Sequence, residues 1–148
     1  MNKSISGFDK WGLEGFILDA IIERGWKEPT EIQIESVPPA RKGRDIVGQA
    51  RTGSGKTAAF GIPILEKCSP TGSIQGIILC PTRELAVQVS GELSILQGKK
   101  GLNIQTVYGG TDIEKQAKKL EKGADIVVGT PGRVIDMSKR GHLELRNI

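Results

Sequence analysis

Aromatic residues are scarce in this chain, which has three Phe, two Trp and one Tyr among its 148 residues. A protein that binds single strands by stacking bases needs several aromatic side chains on one surface, so the composition argues against such a platform. Long apolar runs are also absent, because none approaches the roughly 20 residues that a membrane-spanning helix requires. Residues 1–10 lack the apolar core of a secretory signal. The sequence therefore predicts neither a base-stacking platform nor a membrane partner.

Cysteine is equally rare, and the two present are Cys68 and Cys80. Their spacing is not that of a metal site, and both lie in apolar contexts, which favours buried free thiols. This usage fits an intracellular protein, and we expect a cytoplasmic location. The net charge of +4 permits nucleic-acid binding without demonstrating it.

The segment Ala50–Thr57 reads Ala-Arg-Thr-Gly-Ser-Gly-Lys-Thr. An apolar run at 45–50 predicts a strand before it, and a helical pattern at 55–67 follows. Strand, glycine-rich turn, Lys-Thr and helix is the layout of a phosphate-binding loop. One position departs from the common pattern, since Ala50 stands where the first glycine is usual. A plain structural turn is the alternative interpretation.

The chemistry of this segment favours nucleotide binding. Gly53 and Gly55 carry no Cβ, so main-chain N–H groups can close around phosphate oxygens. The start of the following helix adds free N–H groups and the positive end of its dipole. Lys56 can reach the β- and γ-phosphates, and Thr57 can offer its hydroxyl to Mg²⁺.

Further along the chain, predicted strands alternate with predicted helices. The four strands are expected at 45–50, 75–80, 103–108 and 125–129. This alternation predicts an α/β fold, in which a parallel sheet is covered by helices on both faces as a three-layer structure. Ligands collect at the carboxyl ends of such strands. We therefore expect four loops to meet at one edge of the sheet: 51–57, 81–84, 109–112 and 130–133.

The region before the first predicted strand has its own pattern. We expect residues 1–10 to form an extended arm, followed by a helix that Gly25 ends. Thr30 and Gln33 have the spacing of a capping box, in which a hydroxyl and an amide satisfy the first N–H groups of a helix. Considered alone, this segment favours capping as the role of Gln33. Two prolines at 38–39 predict that the second helix is short or bends before Arg41.

These motifs, in this order, resemble the first RecA-like domain of the DEAD-box RNA helicases over nearly the whole chain. Residues 25–33 are similar to the family's Q motif, and Phe8 stands at its upstream aromatic position. Residues 50–57 match motif I, including the alanine that departs from the general pattern. The remaining matches are 81–86 (Pro-Thr-Arg-Glu-Leu-Ala) to motif Ia, Gly109-Gly110 to the GG element, and 130–133 (Thr-Pro-Gly-Arg) to motif Ib.

The resemblance implies a set of site residues. Lys56 and Thr57 are implied as the catalytic residues that hold the triphosphate of ATP and, through Thr57, Mg²⁺. The other residues implied in nucleotide binding are Phe8 or Trp26 framing the base, Thr30 and Gln33 at the adenine edge, and Arg51, Thr52, Gly53, Ser54 and Gly55. Residues implied at the RNA sugar-phosphate backbone are Pro81, Thr82, Arg83, Gly109, Gly110, Thr130, Pro131, Gly132 and Arg133. The lysine-rich stretch 115–122 is interpreted instead as a solvated helix face.

Some of the family's elements do not occur in these 148 residues, namely the Asp-Glu-Ala-Asp and Ser-Ala-Thr motifs and the second RecA-like domain. We therefore expect residues 1–44 to form an arm, a helix and the Q-motif region, and 45–148 an incomplete RecA-like P-loop NTPase domain. The resemblance implies an ATP-dependent RNA helicase as the parent protein, with the second domain as a partner. For these residues alone we expect nucleotide binding and weak RNA binding without turnover. The alternatives are a non-catalytic adenine-nucleotide and RNA-binding module, or part of a DNA-directed superfamily 2 helicase.

Overall fold

A computed structural model describes residues 7–148 of the chain. A one-turn 3₁₀ helix, Asp9–Trp11, precedes the regular elements. In chain order these elements are α1 (Gly15–Glu23), α2 (Glu31–Arg41), α3 (Lys56–Lys67), β1 (Gly76–Leu79), α4 (Arg83–Leu96), β2 (Ile104–Val107), α5 (Ile113–Glu121), β3 (Ile126–Gly129) and α6 (Pro131–Lys139). Among the described residues, no helix combines the length and apolarity that a membrane span needs.

The chain separates into two compact units. Unit 1 comprises the residues up to Lys67 together with Ile95–Lys100, and it contains α1, α2 and α3. Unit 2 comprises Cys68–Ser94 together with Gly101–Ile148, and it contains the sheet with α5, α6 and most of α4.

The sheet of unit 2 is parallel, with the strand order β1-β3-β2. On one face, α5 and α6 pack with the sheet through a buried cluster that includes Val107, Val127 and Met137. Successive residues of a strand point to opposite faces. Thr106 therefore points away from Val107, and its hydroxyl lies 3.0 Å from that of Ser90 on α4. Helices on both faces of a parallel sheet confirm the predicted three-layer α/β fold.

Charged side chains connect several segments of unit 1 by reaching main-chain carbonyls. The Nζ atom of Lys100, whose side chain is largely buried, donates to the carbonyl of Leu65 at 2.6 Å and to Glu14 at 2.8 Å. A cation at the end of α3 stabilises the helix, because the last carbonyls have no partner within it. Arg41 of α2 pairs with Glu66 at 2.8 Å and donates to the carbonyl of Trp11. These contacts fix α3, whose first residue belongs to the glycine-rich loop.

The prediction of a strand at 45–50 is wrong, because these residues form no strand in the structure. Ile46 is 40% exposed and Val47 is fully exposed. A strand is stable only when its N–H and C=O groups pair with a neighbour. The sheet contains β1, β2 and β3 and does not include this segment. Apolar composition alone therefore misidentified an unpaired, extended segment as a buried strand.

Three smaller expectations also need correction. The part of the expected extended arm that the structure describes begins with a turn, in which Phe8 is buried; residues 1–6 lie outside the described part. Helix α2 continues through both prolines to Arg41. This is tolerated because the carbonyls that the prolines leave unbonded belong to exposed residues, which water can reach. The helical spacing of Leu85, Val89, Leu93 and Leu96 predicts that all four lie on one inner face of α4. Leu85 is nevertheless 38% exposed, and Ala86 is buried instead.

The prediction for the cysteines is confirmed. Both Cys68 and Cys80 are buried, and neither forms a disulfide within the described residues. Burial raises the pKa of the Cys80 thiol, since an apolar surrounding disfavours the thiolate. A thiol held neutral in this way is a poor nucleophile.

A buried carboxylate organises the turns at the amino ends of the strands in unit 2. Asp125 is 2% exposed. Its Oδ1 accepts N–H groups from Thr71 at 3.0 Å and Gly72 at 2.8 Å, and its Oδ2 accepts that of Asn103 at 2.7 Å. Three main-chain donors compensate for removing the charge from water, so this side chain joins three segments that are distant in sequence.

We predict that Asp125→Asn lowers the free energy of unfolding by about 2–4 kcal/mol, because an amide group would face main-chain donors in a buried site. Urea unfolding followed by circular dichroism measures the change. Asp136→Asn is the matched control, since Asp136 pairs with Arg140 on the surface of α6 at 3.0 Å. The control should cost about 0.5 kcal/mol or less. Equal losses in the two variants would show that Asp125 does not have this role.

Candidate nucleotide and nucleic-acid sites

The side chain of Gln33 connects helix α2 to the glycine-rich loop. Gln33 is 2% exposed. Its Oε1 accepts the N–H of Thr30 at 3.0 Å, which confirms its part in the capping box. Its Nε2 donates to the carbonyl of Gly55 at 3.1 Å. Since Oε1 faces a donor and Nε2 faces an acceptor, the orientation of the amide is fixed by its partners.

The glycine-rich loop has the backbone that its sequence predicts. Gly53 and Gly55 have φ angles of +81° and +85°, in the left-handed region that favours glycine. A Cβ built on Gly55 would lie 2.4 Å from Nε2 of Gln33 and 3.0 Å from Oγ1 of Thr30. Glycine is therefore required at 55 both by conformation and by the close approach of α2.

One buried polar atom in this loop has no protein partner in the described part of the chain, namely Oγ of Ser54. A buried hydroxyl without a hydrogen bond is costly, which marks it as a group awaiting a ligand or water. Next to it lies a cavity of about 570 Å³, lined in part by Thr30, Glu31, Arg51 and Gly53. This volume is within the range of about 300–1,000 Å³ that is typical of small-molecule sites. Ser54 and Arg51 suit a phosphate-bearing ligand, and the rest of the lining includes the carboxylates of Glu31 and Glu35.

Lys56 and Thr57 form the first turn of α3, directly after the loop. The side chain of Thr57 is partly buried, whereas Lys56 is exposed. Lys56 lines a second cavity, of about 540 Å³, with Ile46 and Phe60. The structure thus puts Lys56 beside the loop but in a different cavity from Arg51, Gly53 and Ser54. No cluster of three or more His, Cys, Asp or Glu side chains suited to a metal occurs among residues 7–148.

Aromatic residues meet near the start of unit 1. The ring of Phe8 stacks on that of Trp26, with centroids 6.4 Å apart, and meets the edge of Trp11 at 5.5 Å. Arg24 lies over Trp26 at 4.5 Å. Phe8 is 1% exposed, whereas Trp26 is half-buried. Of the two candidates for framing a base, Trp26 is the one with accessible surface.

In unit 2, three of the predicted loops follow the carboxyl ends of the three strands. Arg83, after β1, lies over the ring of Tyr108, with its guanidinium carbon 4.7 Å from the ring centroid. Arg133, after β3, donates to the carbonyl of Thr111 at 3.1 Å. Both arginines therefore contact the segment that follows β2 and contains the Gly-Gly pair, at one edge of the sheet.

Thr82 and Thr130 each directly precede a helix, and Pro131 is the first residue of α6. Oγ1 of Thr82 accepts the N–H of Leu85 at 3.2 Å and caps α4. Thr130 precedes α6 and makes no capping hydrogen bond with its side chain, and Pro131 is the first helical residue. Proline suits that position because its N–H would have no partner there. Pro81 and Gly132 are exposed beside them.

Comparison with known proteins identifies the family. The DEAD/DEAH box helicase model matches residues 30–148. The chain is 48% identical to the DEAD-box ATP-dependent RNA helicase CshA of Streptococcus pneumoniae over 142 residues, and 46% identical to that of Bacillus cereus over the same length. In each case the match covers 95% of this chain and 27% of the relative. The chain belongs to the DEAD/DEAH box helicase family.

Solved structures agree with this assignment. A DEAD box protein from the hyperthermophile Methanococcus jannaschii superimposes with a TM-score of 0.91 at 48% identity, over 96% of this chain and 39% of that one. A hypothetical ATP-dependent RNA helicase from Sulfolobus tokodaii gives 0.82 at 38% identity, over 92% of this chain and 39% of that one. This DEAD/DEAH box chain thus spans well under half the length of the relatives it matches.

Sequence analysis of this DEAD/DEAH box chain missed two residues that organise the loops of unit 2. Gln116 is buried and bonds to the main chain of Tyr108 and to Arg133. Tyr108 supports Arg83 through its ring. The sequence signal that could have identified Gln116 is its position. It is a polar residue on the inner face of a helix, between the apolar residues Ile113 and Leu120.

We predict that Gly55→Ala destabilises unit 1 by about 2–4 kcal/mol, because it adds a steric conflict with Gln33 to the strain of a positive φ. Gly53→Ala is the matched control: it has nearly the same φ, and its Cβ would meet nothing within 4 Å. It should cost only the strain, about 1–2 kcal/mol. Chemical unfolding of both variants measures the difference, and similar losses would show that Gln33 moves aside without cost.

Proposed function

We propose that unit 1 binds ATP with Mg²⁺ and that unit 2 binds the sugar-phosphate backbone of RNA, as the amino-terminal part of an ATP-dependent RNA helicase. The observation that supports this best is the hydrogen bond between Gln33 and the carbonyl of Gly55. It joins the segment expected to recognise the base to the loop expected to hold the phosphates. The printed names of the relatives, which are ATP-dependent RNA helicases, support the same function.

Gln33 provides a physical reason for adenine preference. Each end of its amide has one hydrogen-bonding position left after the contacts with Thr30 and Gly55: a lone pair on Oε1 and an N–H on Nε2. Adenine presents a donor at N6 beside an acceptor at N7, and guanine presents two acceptors there. The fixed amide therefore complements adenine and opposes guanine. Thr30 and Trp26 would border the base, with Phe8 supporting Trp26.

The phosphates of ATP would be held by main-chain N–H groups of 51–57 and by Ser54. Lys56 lines the other cavity in this structure, so its exposed side chain would turn toward the phosphates when they bind. ATP supplies a transferable phosphoryl group, and Mg²⁺, held by Thr57, would neutralise its charge. The stretch Asp-Glu-Ala-Asp does not occur in these residues, and for them alone we propose binding without turnover. Within the parent protein we propose residues 1–44 as the adenine-recognition region, 45–148 as a RecA-like domain, a second such domain as partner, and a cytoplasmic location.

Two glycines support RNA binding by unit 2. A Cβ at Gly109 or Gly132 would meet nothing within 4 Å, and neither residue has a positive φ. Neither the packing nor the conformation of the described residues therefore requires glycine at these exposed positions. Glycine in such a place allows a ligand backbone to approach the main chain closely. Arg83 and Arg133 nearby provide positive charge for phosphates, and Gly110, Thr82 and Thr130 provide polar groups.

We predict that Lys56→Ala lowers ATP affinity at least about tenfold, because a charge-assisted contact with the phosphates is lost. Isothermal titration calorimetry with MgATP measures it, and GTP should bind at least about tenfold more weakly than ATP to the unmodified chain. Lys139→Ala, at the exposed end of α6 and outside both cavities, is the matched control and should bind like the unmodified chain. Unchanged affinity in Lys56→Ala would refute the proposed phosphate contact.

We predict that Gly132→Ala weakens RNA binding while stabilising the fold by up to about 1 kcal/mol, since alanine is the better helix former. Gly91→Ala is the matched control, because Gly91 is also an exposed glycine in a helix whose Cβ would have open space. It should stabilise similarly without affecting RNA. Fluorescence anisotropy with a labelled single-stranded RNA and thermal unfolding measure the two effects. Equal RNA affinity in both variants would exclude close approach at Gly132.

A further inference from the structure

Gln116, on the first turns of α5, uses all of its hydrogen-bonding capacity on the segment after β2 and on Arg133. Its Oε1 accepts the N–H of Tyr108 at 3.3 Å and Nη1 of Arg133 at 3.0 Å. Its Nε2 donates to the carbonyl of Tyr108 at 3.0 Å and to Oγ1 of Thr111 at 2.7 Å. An amide has two donors and two acceptor lone pairs, so these four contacts satisfy it completely.

The contacts with Tyr108 determine where the chain leaves the sheet. Tyr108 follows Val107, the last residue of β2. Gln116 binds both its N–H and its carbonyl, as a neighbouring strand would. The Gly109–Gly110 turn therefore starts from a residue whose main chain is fully paired with a buried side chain. Thr111, at the other end of the turn, is held by the same amide.

The contact with Arg133 determines the direction of its guanidinium group. Nη1 donates to Gln116 and Nη2 to the carbonyl of Thr111, which fixes the plane of the group. A guanidinium has five N–H donors, so three are left for a ligand. Because this group is fixed before binding, its ordering costs less entropy when a phosphate arrives.

We propose that Gln116 is a positioning residue for RNA binding, which sets both the Gly109–Gly110 turn and the orientation of Arg133 toward one phosphate of the backbone. This inference rests on the proposed RNA-binding function of unit 2. All four hydrogen-bonding positions of Gln116 are used within the protein, so it does not itself bond to RNA. It acts through Tyr108, Thr111 and Arg133, so its replacement removes a phosphate contact although no charge is changed.

The test compares Gln116→Leu, Arg133→Ala and the double variant by RNA binding at several salt concentrations. For single strands, each lost phosphate contact reduces the slope of log K against log salt by about 0.7. We expect Arg133→Ala and Gln116→Leu to reduce the slope alike, and the double variant to lose little more than either single one. Gln88→Leu, the same change at an exposed position of α4, should leave affinity and slope unaltered.

Two outcomes overturn the inference: a slope in Gln116→Leu equal to that of the unmodified chain, or losses that simply multiply in the double variant. If Gln116→Leu does not fold, Thr111→Val removes a single partner of the amide. Its affinity should fall about two- to tenfold, as expected for one hydrogen bond, and an unchanged affinity contradicts the proposal.

Amide hydrogen exchange without RNA separates this inference from the function on which it rests. Gln116→Leu or Thr111→Val should accelerate exchange of the Tyr108 amide, which donates to Gln116, and leave the Gly72 amide, which donates to Asp125, protected as before. Failure of the unmodified chain to bind RNA would refute the proposed function, and the exchange rates would still decide whether Gln116 orders the turn. Unchanged exchange of the Tyr108 amide would refute the positioning role itself.

Discussion

The hydrogen bond from the Gln33 amide to the carbonyl of Gly55 is the contact on which unit 1 depends. It is partly buried, and it joins residues 22 positions apart in sequence. The same amide caps α2, and the carbonyl that it binds also accepts the first main-chain bond of α3, from Ala59 at 3.2 Å. A change in the loop therefore also perturbs the start of both helices, because a buried polar group that loses its partner costs free energy. The start of α2 and the glycine-rich loop therefore share one connection.

Sequence predicted the elements whose signals are local. Strands β1, β2 and β3 were located within a few residues, and helices were expected between them, because apolar periodicity and capping residues act over short distances. The strand at 45–50 failed because pairing is a tertiary property, and the apolar residues Ile46 and Val47 carry no information about a neighbour. The continuation of helix α2 through its two prolines was not predicted, for a similar reason. The cost of the unbonded carbonyls depends on their exposure to water, which the sequence does not show.

The parts of the candidate site that lie in short sequence motifs could be predicted. The capping pair Thr30 and Gln33 was identified, and the structure added the contact with Gly55, which no spacing rule gives. Gln116 and Asp125 were not identified, since each satisfies main-chain groups of distant segments. In a sequence, such residues can be recognised only as polar residues at inward-facing positions of a helix or strand. The roles in binding assigned to individual residues stay predictions.

Each unit stabilises a glycine-containing turn by the same kind of contact. In each, a buried glutamine satisfies main-chain groups at the turn: Gln33 at Gly55, and Gln116 at Tyr108 beside Gly109–Gly110. A carboxylate could accept but not donate, and a lysine could donate but not accept. Either would also bring a charge into an apolar surrounding at a high cost. A neutral amide can both donate and accept hydrogen bonds, so it fixes a turn without adding a charge. The electrostatic field at the turn is then set by the nearby arginines, the lysine and the main-chain N–H groups.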